Sequence, residues 1–488
     1  MTIRIHPQNP KLFEYRDQPL ALICATEHYG AVLNRPFRFE RYIHDAASRG
    51  QTLSRLFTLF RELQNQVNPY STCKPESTDY IAPFARTGPG NAYDGELRFD
   101  LETWDSEFFE RLHAFLELSS AAGIIVELVL FSNTYADEIW SLNPLNPINN
   151  ITIDDTEVIR WQDYVTRRHP QLCKWQEAHA RRILAETNRY DNIIYEICNE
   201  PGSFLPEGAG DLPSADEVND WQSHFIRMIR DFEKDQPNQH LIAGQEAFSY
   251  NPFTQPADQT FTGLDFDIVN MHPLPNTKWN GTSYDMGNFM SKELKLRAVR
   301  DFAIHTYHLP KPLNYDEDNV ATRYRDTEGW TIHRKRAWTT LFCGGHYDMI
   351  DFSIMPYLET GTPESRAGIR DWLGHLSSFV HALDLARARP LQDFLLAQPA
   401  HTVGSTLAIE GKDYAIYLAD EREREDPGCG EKISGDLDLE LPSGRYQISC
   451  YAPETGGYSP TLDLAGGYQS ISVPGFHHDI VVRIKRRD

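Results

Sequence analysis

The apolar positions before Pro390 fall into eight short runs, separated by longer segments in which apolar and polar residues alternate with a helical period. The runs are rich in β-branched residues, as buried parallel strands are. We place them at residues 20–25, 52–57, 124–131, 193–198, 240–245, 266–271, 312–315 and 349–353. Segments 107–122 and 221–232 each put apolar side chains on one helical face. Eight strand–helix repeats predict an α/β fold, a closed (β/α)8 TIM barrel rather than an open sheet.

The pattern changes near Pro390, where short alternating runs separated by turn residues begin. Such runs lie at 413–417, 437–441, 446–451 and 480–484, and they predict a C-terminal antiparallel β-sandwich domain. The predicted domains are a catalytic barrel at 1–388 and an accessory sandwich at 389–488. Because no flexible linker separates them, we expect the sandwich to pack on the barrel as a structural appendage.

Two connections are longer than ordinary loops between a strand and a helix. They run from about 61 to 97 and from 132 to about 163, after the second and third predicted strands. Both leave the carboxyl ends of their strands, where barrels build their active sites. We interpret them as walls of a substrate cleft.

The fourth run ends abruptly in Asn199, Glu200 and Pro201. Proline cannot donate to a strand ladder, so the strand must end there. A carboxylate beside an amide therefore lies at the carboxyl end of the fourth strand, where a glycosidase could hold its general acid.

A second carboxylate cluster, Asp316, Glu317 and Asp318, follows the seventh run. Glycoside hydrolysis requires two carboxylates on opposite sides of the scissile bond, and distant strand ends can supply them. We predict Glu200 as acid/base and Glu317 as nucleophile, with Asp316 and Asp318 as competing nucleophiles. An acidic loop that solvates a helix terminus is the alternative reading of the cluster.

Several other side chains are predicted to support the two glutamates or to bind substrate. Arg55 lies in a buried strand and needs an anionic partner, either Glu317, which it would orient, or Glu196 in a structural pair. Asn199 can donate its amide to a sugar hydroxyl. The remaining predicted substrate contacts are His272, Glu27, His28, Tyr29, Asn133, Tyr315 and, as a stacking platform, Trp279.

Residues 194–201 resemble the fourth-strand motif of the clan A glycoside hydrolases, which include the cellulase-like family 5. The resemblance extends to residues 14–29 at the start of the chain and to the C-terminal region 390–488. It implies a retaining (β/α)8 enzyme, with the acid/base at Glu200, its preceding Asn at Asn199, and the nucleophile at Glu317. The family's second-strand Arg and sixth-strand His match Arg55 and His272. The acidic end of the seventh strand and the two long loops depart from common endoglucanases, so the substrate does not follow from the resemblance.

The composition narrows the possible partners, cofactors and compartment of the protein. The chain has 488 residues and a formal net charge of −23, which disfavours nucleic acid and anionic membranes as partners. Its seven cysteines form no disulfide pattern, and no zinc motif is present, so we expect free thiols, no cofactor and no metal. The N-terminus lacks an apolar signal core, which predicts a cytoplasmic protein, or a secreted one if a leader has been removed.

The sequence thus predicts a retaining β-glycoside hydrolase that cleaves an oligo- or polysaccharide by double displacement. The alternative is a non-catalytic carbohydrate-binding protein on a glycosidase scaffold. We favour action on oligosaccharides or chain ends, because the two long loops could close one end of the cleft. Sugar, linkage and oligomeric state are left open.

Overall fold

The computed structural model describes residues 2–28, 30–61, 76–154, 156–203, 212–250, 253–287, 295–318, 327–423 and 426–488. Its central sheet has eight parallel strands: Ile23–Thr26, Leu53–Phe57, Ile125–Ser132, Ile193–Asn199, Leu241–Gly244, Ile268–Met271, Leu313–Asp318 and His346–Ile350. A backbone hydrogen bond of 3.0 Å from Thr52 N to Ile23 O connects the start of the second strand to the first. The predicted (β/α)8 barrel is therefore confirmed. Each predicted run overlaps a strand, but the eighth strand begins three residues earlier than predicted, because its start, His346–Asp348, is not apolar.

A helix follows each barrel strand: Phe39–Ser48, Ser106–Ala122, Pro170–Thr187, Ala215–Glu233, Asp258–Thr262, Leu296–Thr306, Thr327–Phe342 and Asp371–His381. Local sequence fixes several ends. Asp105 caps the second helix by accepting from the backbone of Glu107 and Phe108, and Gly123 ends it in the left-handed conformation. Ser214 and Glu217 form a reciprocal capping box at the start of the fourth helix, Ala215–Glu233.

The remaining elements before residue 389 are short. The helical turns are Asp137–Trp140, Pro147–Asn149, Trp161–Asp163, Pro363–Ser365 and the π-helical Arg366–Arg370. Phe84–Ala85 pairs with Asp100–Trp104, and a five-stranded sheet joins Gly202–Ser203, Phe248–Tyr250, Phe253–Pro256, Thr277–Trp279 and Thr282–Tyr284. Strands Arg4–His6, Asn9–Tyr15 and Gln18–Leu20 form an antiparallel sheet whose Phe13 and Tyr15 share a core with residues at the amino ends of the barrel strands. This small sheet closes the end of the barrel opposite the strand ends that carry Glu200 and Glu317.

A separate antiparallel sheet follows the barrel. Its strands are Arg389–Pro390, Leu395–Ala397, Thr402–Ile409, Asp413–Asp420, Ile433–Ala452, Gly457–Tyr458, Leu462–Phe476 and Asp479–Arg486. Alternate residues of Asp413–Asp420 face opposite ways: Tyr414, Ile416 and Leu418 enter a core within the C-terminal region, and Tyr417 packs on the barrel. The ring of Tyr417 stacks on Trp338, with 5.6 Å between centroids. The predicted fold class is confirmed, and we retain 1–388 and 389–488 as the proposed domain division.

Two further observations bear on the sequence-based expectations. No helix among the described residues is long and apolar enough to cross a membrane. The six cysteines within the described ranges all carry free thiols, and Cys24, Cys173, Cys198 and Cys343 are buried.

Candidate active site

Glu200 and Glu317 face each other at the carboxyl end of the barrel, with His272 between them. A carboxylate oxygen of each glutamate and a ring nitrogen of His272 lie within 4.8 Å of one another. The Glu200 side chain keeps 16% of its surface exposed, whereas Glu317 keeps 4%. The more accessible carboxyl therefore lies on the fourth strand, and the enclosed one lies on the seventh.

Both glutamates occupy unusual backbone positions. Glu200 has φ of 48° and Glu317 has φ of 52°, in the left-handed region that non-glycine residues rarely adopt. The seventh strand also carries a bulge, because Tyr315 pairs with Tyr347 and Asp318 pairs with Met349, so that one residue is extra. The bulge turns two successive carboxylates, Asp316 and Glu317, toward the barrel interior. Such strain clusters at functional sites, where the surrounding structure holds it in place.

Arg55 connects the second strand to the fourth and seventh. Its guanidinium donates to both carboxylate oxygens of Glu196, at 2.7 and 2.8 Å, and to Asn199 Oδ1 at 3.0 Å. It also donates to Glu317 and lies 3.3 Å from an oxygen of Asp316. Both partners that the sequence offered for Arg55 are therefore engaged. Its rigid, permanently charged fork can bind several carboxylates at once, which a lysine could not do.

His272 is the second cation of the site. Its Nδ1 lies 3.0 Å from Glu200 Oε1, and its Nε2 lies 3.6 Å from Asp316 and 4.0 Å from Glu317. Burial opposes protonation of His272, but its hydrogen bonds with Asp316 and Glu200 and the charge of Glu317 outweigh burial and raise its pKa to about 10. His272 is therefore a cation at neutral pH.

Four further carboxyl groups lie below the two glutamates, inside the barrel: Glu127, Glu196, Asp316 and Asp348, all buried. Burial raises the pKa of Glu196 to about 7 against the attraction of Arg55. Burial and the charges of neighbouring carboxylates raise the pKa values of Glu127 and Asp348 well above the ordinary range. Burial also acts to raise the pKa of Asp316, but Arg55 and His272 outweigh it and lower that pKa. Among these four carboxyl groups, Asp316 is thus the one whose pKa lies below its ordinary value.

Burial likewise raises the pKa of Glu317. His272 and Arg55 oppose this rise, while the charges of Glu200 and Asp316 add to it. The two cations therefore determine how much of Glu317 is ionised near neutral pH.

Two asparagines hold the turn that carries Glu200. Asn133 donates to the carbonyls of Glu200 and Gly202, both at 3.0 Å, so it braces backbone. Asn199 donates to the hydroxyl of Tyr135 at 2.8 Å while its oxygen accepts from Arg55. The amide of Asn199 is thereby oriented by two neighbours at the floor of the cleft.

The two long loops contact each other through Tyr93 of the first loop and through Phe99, just beyond its end. Phe99 N donates to Asn149 O at 2.8 Å, and Ile151 N donates to Phe99 O at 2.9 Å. Tyr93 N donates to the side chain of Asn149 at 2.8 Å. Four buried asparagines stabilise the second loop: Asn143, Asn146, Asn149 and Asn150. The described parts of the two loops are therefore joined to each other, and their role as walls of a substrate cleft stays a prediction.

Several predicted contacts are not part of this arrangement. Tyr315 is fully buried, and its hydroxyl donates to Val299 O at 2.7 Å, because the strand alternation turns it toward the surrounding helices. Asp318 also turns outward, to Arg336 at 2.6 Å. Trp279 packs 5.8 Å from the ring of His308, beyond the end of helix Leu296–Thr306 and therefore toward the opposite end of the barrel.

The residues at the end of the first strand stabilise the loop that follows it. Glu27 accepts from the backbone N–H groups of Gly30 and Ala31, at 2.7 and 3.2 Å, and burial raises its pKa to about 7. His28 is buried, and burial and the charge of Arg55 lower its pKa well below the ordinary value, so it is neutral. Tyr29 lies outside the described residues.

Sequence reasoning missed two members of the interior layer, Glu127 and Asp348, and the adjacent Gln245. The side-chain amide of Gln245 lies 3.1 Å from His272 Nε2, and Asp348 accepts from the thiol of Cys24 at 3.0 Å. The signal was available, because a lone carboxyl inside an apolar strand must find a partner in the barrel.

Glu200, His272 and Glu317 are close enough to act as metal ligands. However, His272 already carries a proton there and Arg55 donates to Glu317, so two positive charges occupy the surroundings of the carboxylates. The donor set therefore fits proton transfer and nucleophilic attack better than it fits a cation.

Comparisons with known proteins bear on the family and the fold. The profile of the cellulase family, glycosyl hydrolase family 5, matches residues 83–333. Among solved structures, a family 5 glycoside hydrolase from Bacteroides vulgatus has 10% identity and a TM-score of 0.62, covering 99% of this chain and 94% of its own. A putative glycoside hydrolase from the same organism has 13% identity and a TM-score of 0.61, covering 100% and 82%.

A structure described only as a glycoside hydrolase has 10% identity and a TM-score of 0.61, and it covers 100% of this chain and 98% of its own. No curated protein sequence matches the chain. At these identities the structural similarities speak for the fold, whereas the profile match spans more than half of the sequence and identifies the family. The chain belongs to glycosyl hydrolase family 5 and is a glycoside hydrolase.

Proposed function

We propose that this enzyme is a retaining β-glycoside hydrolase in which Glu317 is the nucleophile and Glu200 is the general acid and base. The observation that carries the proposal is the approach of the two carboxylates, whose oxygens lie within 4.8 Å of each other across His272. Retaining enzymes hold these groups about 5–5.5 Å apart, and inverting enzymes about 6.5–9.5 Å, because inversion needs room for a water.

The contacts of the seventh strand support Glu317 over its two neighbours. Asp318 is engaged with Arg336 on the outer side of the strand, away from Glu200. Asp316 is fully buried below Glu317 and lies against Arg55 and His272. Glu317 combines proximity to Glu200 with direct contact to Arg55, whose charge favours the carboxylate that attacks.

The greater exposure of Glu200 suits the residue that must meet both a leaving group and water. In the first step, a Glu317 oxygen bonds to the anomeric carbon while the bond to the leaving oxygen breaks and Glu200 gives that oxygen its proton. The His272 cation, 3.0 Å from Glu200, stabilises the carboxylate that results. In the second step, Glu200 takes a proton from water, the water oxygen bonds to the anomeric carbon, and Glu317 leaves as a carboxylate.

The wall formed by the two long loops supports action on oligosaccharides or chain ends. Residues 91–101 and 147–152 are joined by backbone hydrogen bonds, and we take the two loops together as one wall of the cleft. Such a wall limits how far a polymer can extend past the cleft. Products from a long and a short substrate of the same linkage test this mode. Early mid-length products with little mono- or disaccharide would contradict it.

The catalytic proposal is tested with a panel of aryl β-glycosides and a fluorinated sugar that traps the glycosyl-enzyme. Turnover with retention, and a covalent sugar on Glu317 identified by peptide mass, are the expected results. Binding of sugars without release of the aryl alcohol across the panel would favour the non-catalytic alternative for this chain. A label on Asp316 would move the nucleophile by one residue.

A further inference from the structure

A second cluster of metal-ligating side chains lies on the outer surface of the barrel. Helix Pro170–Thr187 contributes Cys173 and Glu177, and helix Ala215–Glu233 contributes His224. One ligand atom from each lies within 4.8 Å of the other two. His224 Nε2 is 2.7 Å from Glu177 Oε1, and Cys173 Sγ is 3.8 Å from the same oxygen. The cluster has no part in the hydrolysis site.

The fold explains why these three side chains meet. Cys173 and Glu177 are four residues apart on one helix, so they project from the same face one turn apart. Each helix leads from the end of one barrel strand to the start of the next, so the two neighbouring helices run in the same direction. Trp221 Nε1 donates to Gln176 Oε1 at 3.1 Å and fixes the register between them.

The ligand set and spacing suit a zinc-type cation. Thiolate, carboxylate and imidazole are the common zinc ligands, and tetrahedral bonds of about 2.3, 2.1 and 2.0 Å place neighbouring ligand atoms about 3.4–3.6 Å apart. The observed distance of 3.8 Å between Cys173 Sγ and Glu177 Oε1 is close to this ligand–ligand spacing. The nitrogen–oxygen contact of 2.7 Å must open, which the side chain of Glu177, about a third exposed, has room to do.

The neighbouring charges are also compatible with a cation. Burial and the charge of Glu177 raise the pKa of the Cys173 thiol, and the charge of Arg167, which pairs with Asp220 at 3.3 Å, opposes that rise. The Arg167 side chain is half exposed and can turn into solvent when a cation enters. Asp220 stands one turn before His224 on the same helix, which adds negative charge to the approach.

We propose that Cys173, Glu177 and His224 bind a divalent cation of the zinc type and thereby cross-link the two helices that flank the fourth barrel strand. The thiol of Cys173 releases its proton to solvent on binding, and water fills the fourth coordination position. The cross-link acts on stability, because the fourth strand and its Glu200 lie between the two linked helices. This site is independent of the proposed catalytic roles.

Cobalt titration of the chelator-treated full chain tests the site. We expect one equivalent of Co²⁺ to give a near-ultraviolet thiolate-to-cobalt charge-transfer band together with tetrahedral visible bands. Cys173→Ser should abolish the charge-transfer band. Cys450→Ser is the control, because Cys450 is a free thiol outside the cluster, and the band should persist in it.

Zinc binding should also raise the melting temperature of the wild type, by about 2–3 °C at a hundredfold excess over Kd. His224→Gln should lose at least about tenfold in affinity and the thermal shift with it, as expected when a ligand is removed. His224 is partly exposed, so we expect the His224→Gln protein to fold. It therefore tests the metal site even if the Cys173→Ser protein is unfolded. Cobalt bound without a thiolate band, a band that survives Cys173→Ser, or a zinc shift unchanged in His224→Gln would overturn the proposal.

Discussion

The barrel interior and the contact between the barrel and the C-terminal sheet both bury charged side chains, but they balance charge differently. At the contact, Arg334 meets Asp479 in a two-pronged pair at 2.8 and 2.9 Å, and Tyr417 donates to the same carboxylate at 3.0 Å. One cation faces one carboxylate, and both are almost fully buried.

In the barrel, two cations, Arg55 and His272, face a whole layer of carboxyl groups. The carboxyl groups outnumber the two cations. Burial and the charges of neighbouring carboxylates raise the pKa values of Glu127 and Asp348, so these two groups hold protons. A balanced pair holds two parts of a protein together. A cluster with more carboxyl groups than cations lowers stability. It is retained where its groups must exchange protons or attack a substrate.

Glu317→Gln should have the largest effect. Removing the nucleophile leaves no carboxylate to form the covalent intermediate, so kcat on aryl β-glycosides should fall by about 10⁵-fold. Glu246→Gln is a matched control, because Glu246 is a buried glutamate at the fifth strand end that accepts from Gln259 N and has no role in the mechanism. Near wild-type turnover in Glu317→Gln would contradict the assignment.

Glu200→Ala should lower activity by about 10²–10⁴-fold on substrates with poor leaving groups. Good leaving groups depart without protonation, so their first step should be much less affected. Azide can replace the water that Glu200 activates, so it should restore turnover of activated substrates and yield a glycosyl azide of retained configuration. An equal loss across leaving groups, with no effect of azide, would point to another acid.

Asp479→Asn should break the balanced region without touching the chemistry. Leaving Arg334 buried and unpaired should lower the free energy of unfolding by about 3–5 kcal/mol, measured by denaturant titration. The kcat of the remaining folded enzyme should not change. Asp463→Asn removes the exposed partner of Arg487 and should cost at most about 1 kcal/mol. Equal losses in the two variants would remove the distinction between the buried contact and the surface.

His272→Gln tests the unbalanced region through pH. The folded-state pKa of about 10 lies above the ordinary value of 6.5, so protonated His272 stabilises the folded state. That contribution is complete below pH 6.5 and is lost as pH rises through 10. The difference in unfolding free energy between wild type and His272→Gln should therefore shrink over this window. A difference that is constant with pH would show that His272 is not held as a cation.

Tyr315→Phe should have the smallest effect. It removes one buried hydrogen bond to Val299 O, at a cost of about 1 kcal/mol. Because the hydroxyl faces the helices, kcat and KM should stay within twofold of wild type, roughly the resolution of such measurements. A large rise in KM would return Tyr315 to the substrate cleft.

The sequence by itself determined the barrel, because its buried strands and amphipathic helices repeat with periods that only a parallel sheet can bury. It also determined that two glutamates end distant strands, and that Arg55 needs an anionic partner. It placed the C-terminal change of pattern at Pro390, next to the first strand of the antiparallel sheet at Arg389. These features follow from periodicity and local chemistry, which depend on residues that are close together in the sequence.

Only the tertiary structure decided which side of the seventh strand each acidic residue faces. Alternation alone would turn Asp316 and Asp318 to one side and Glu317 to the other, but the bulge and the positive φ of Glu317 bring Asp316 and Glu317 inward together. The tertiary structure also decided that Tyr315 faces the surrounding helices. It alone brought Glu127, Glu196, Asp316 and Asp348 together in one layer. Strand register and closure of the barrel bring these residues together from positions far apart in the chain, and no local pattern encodes their shared charge.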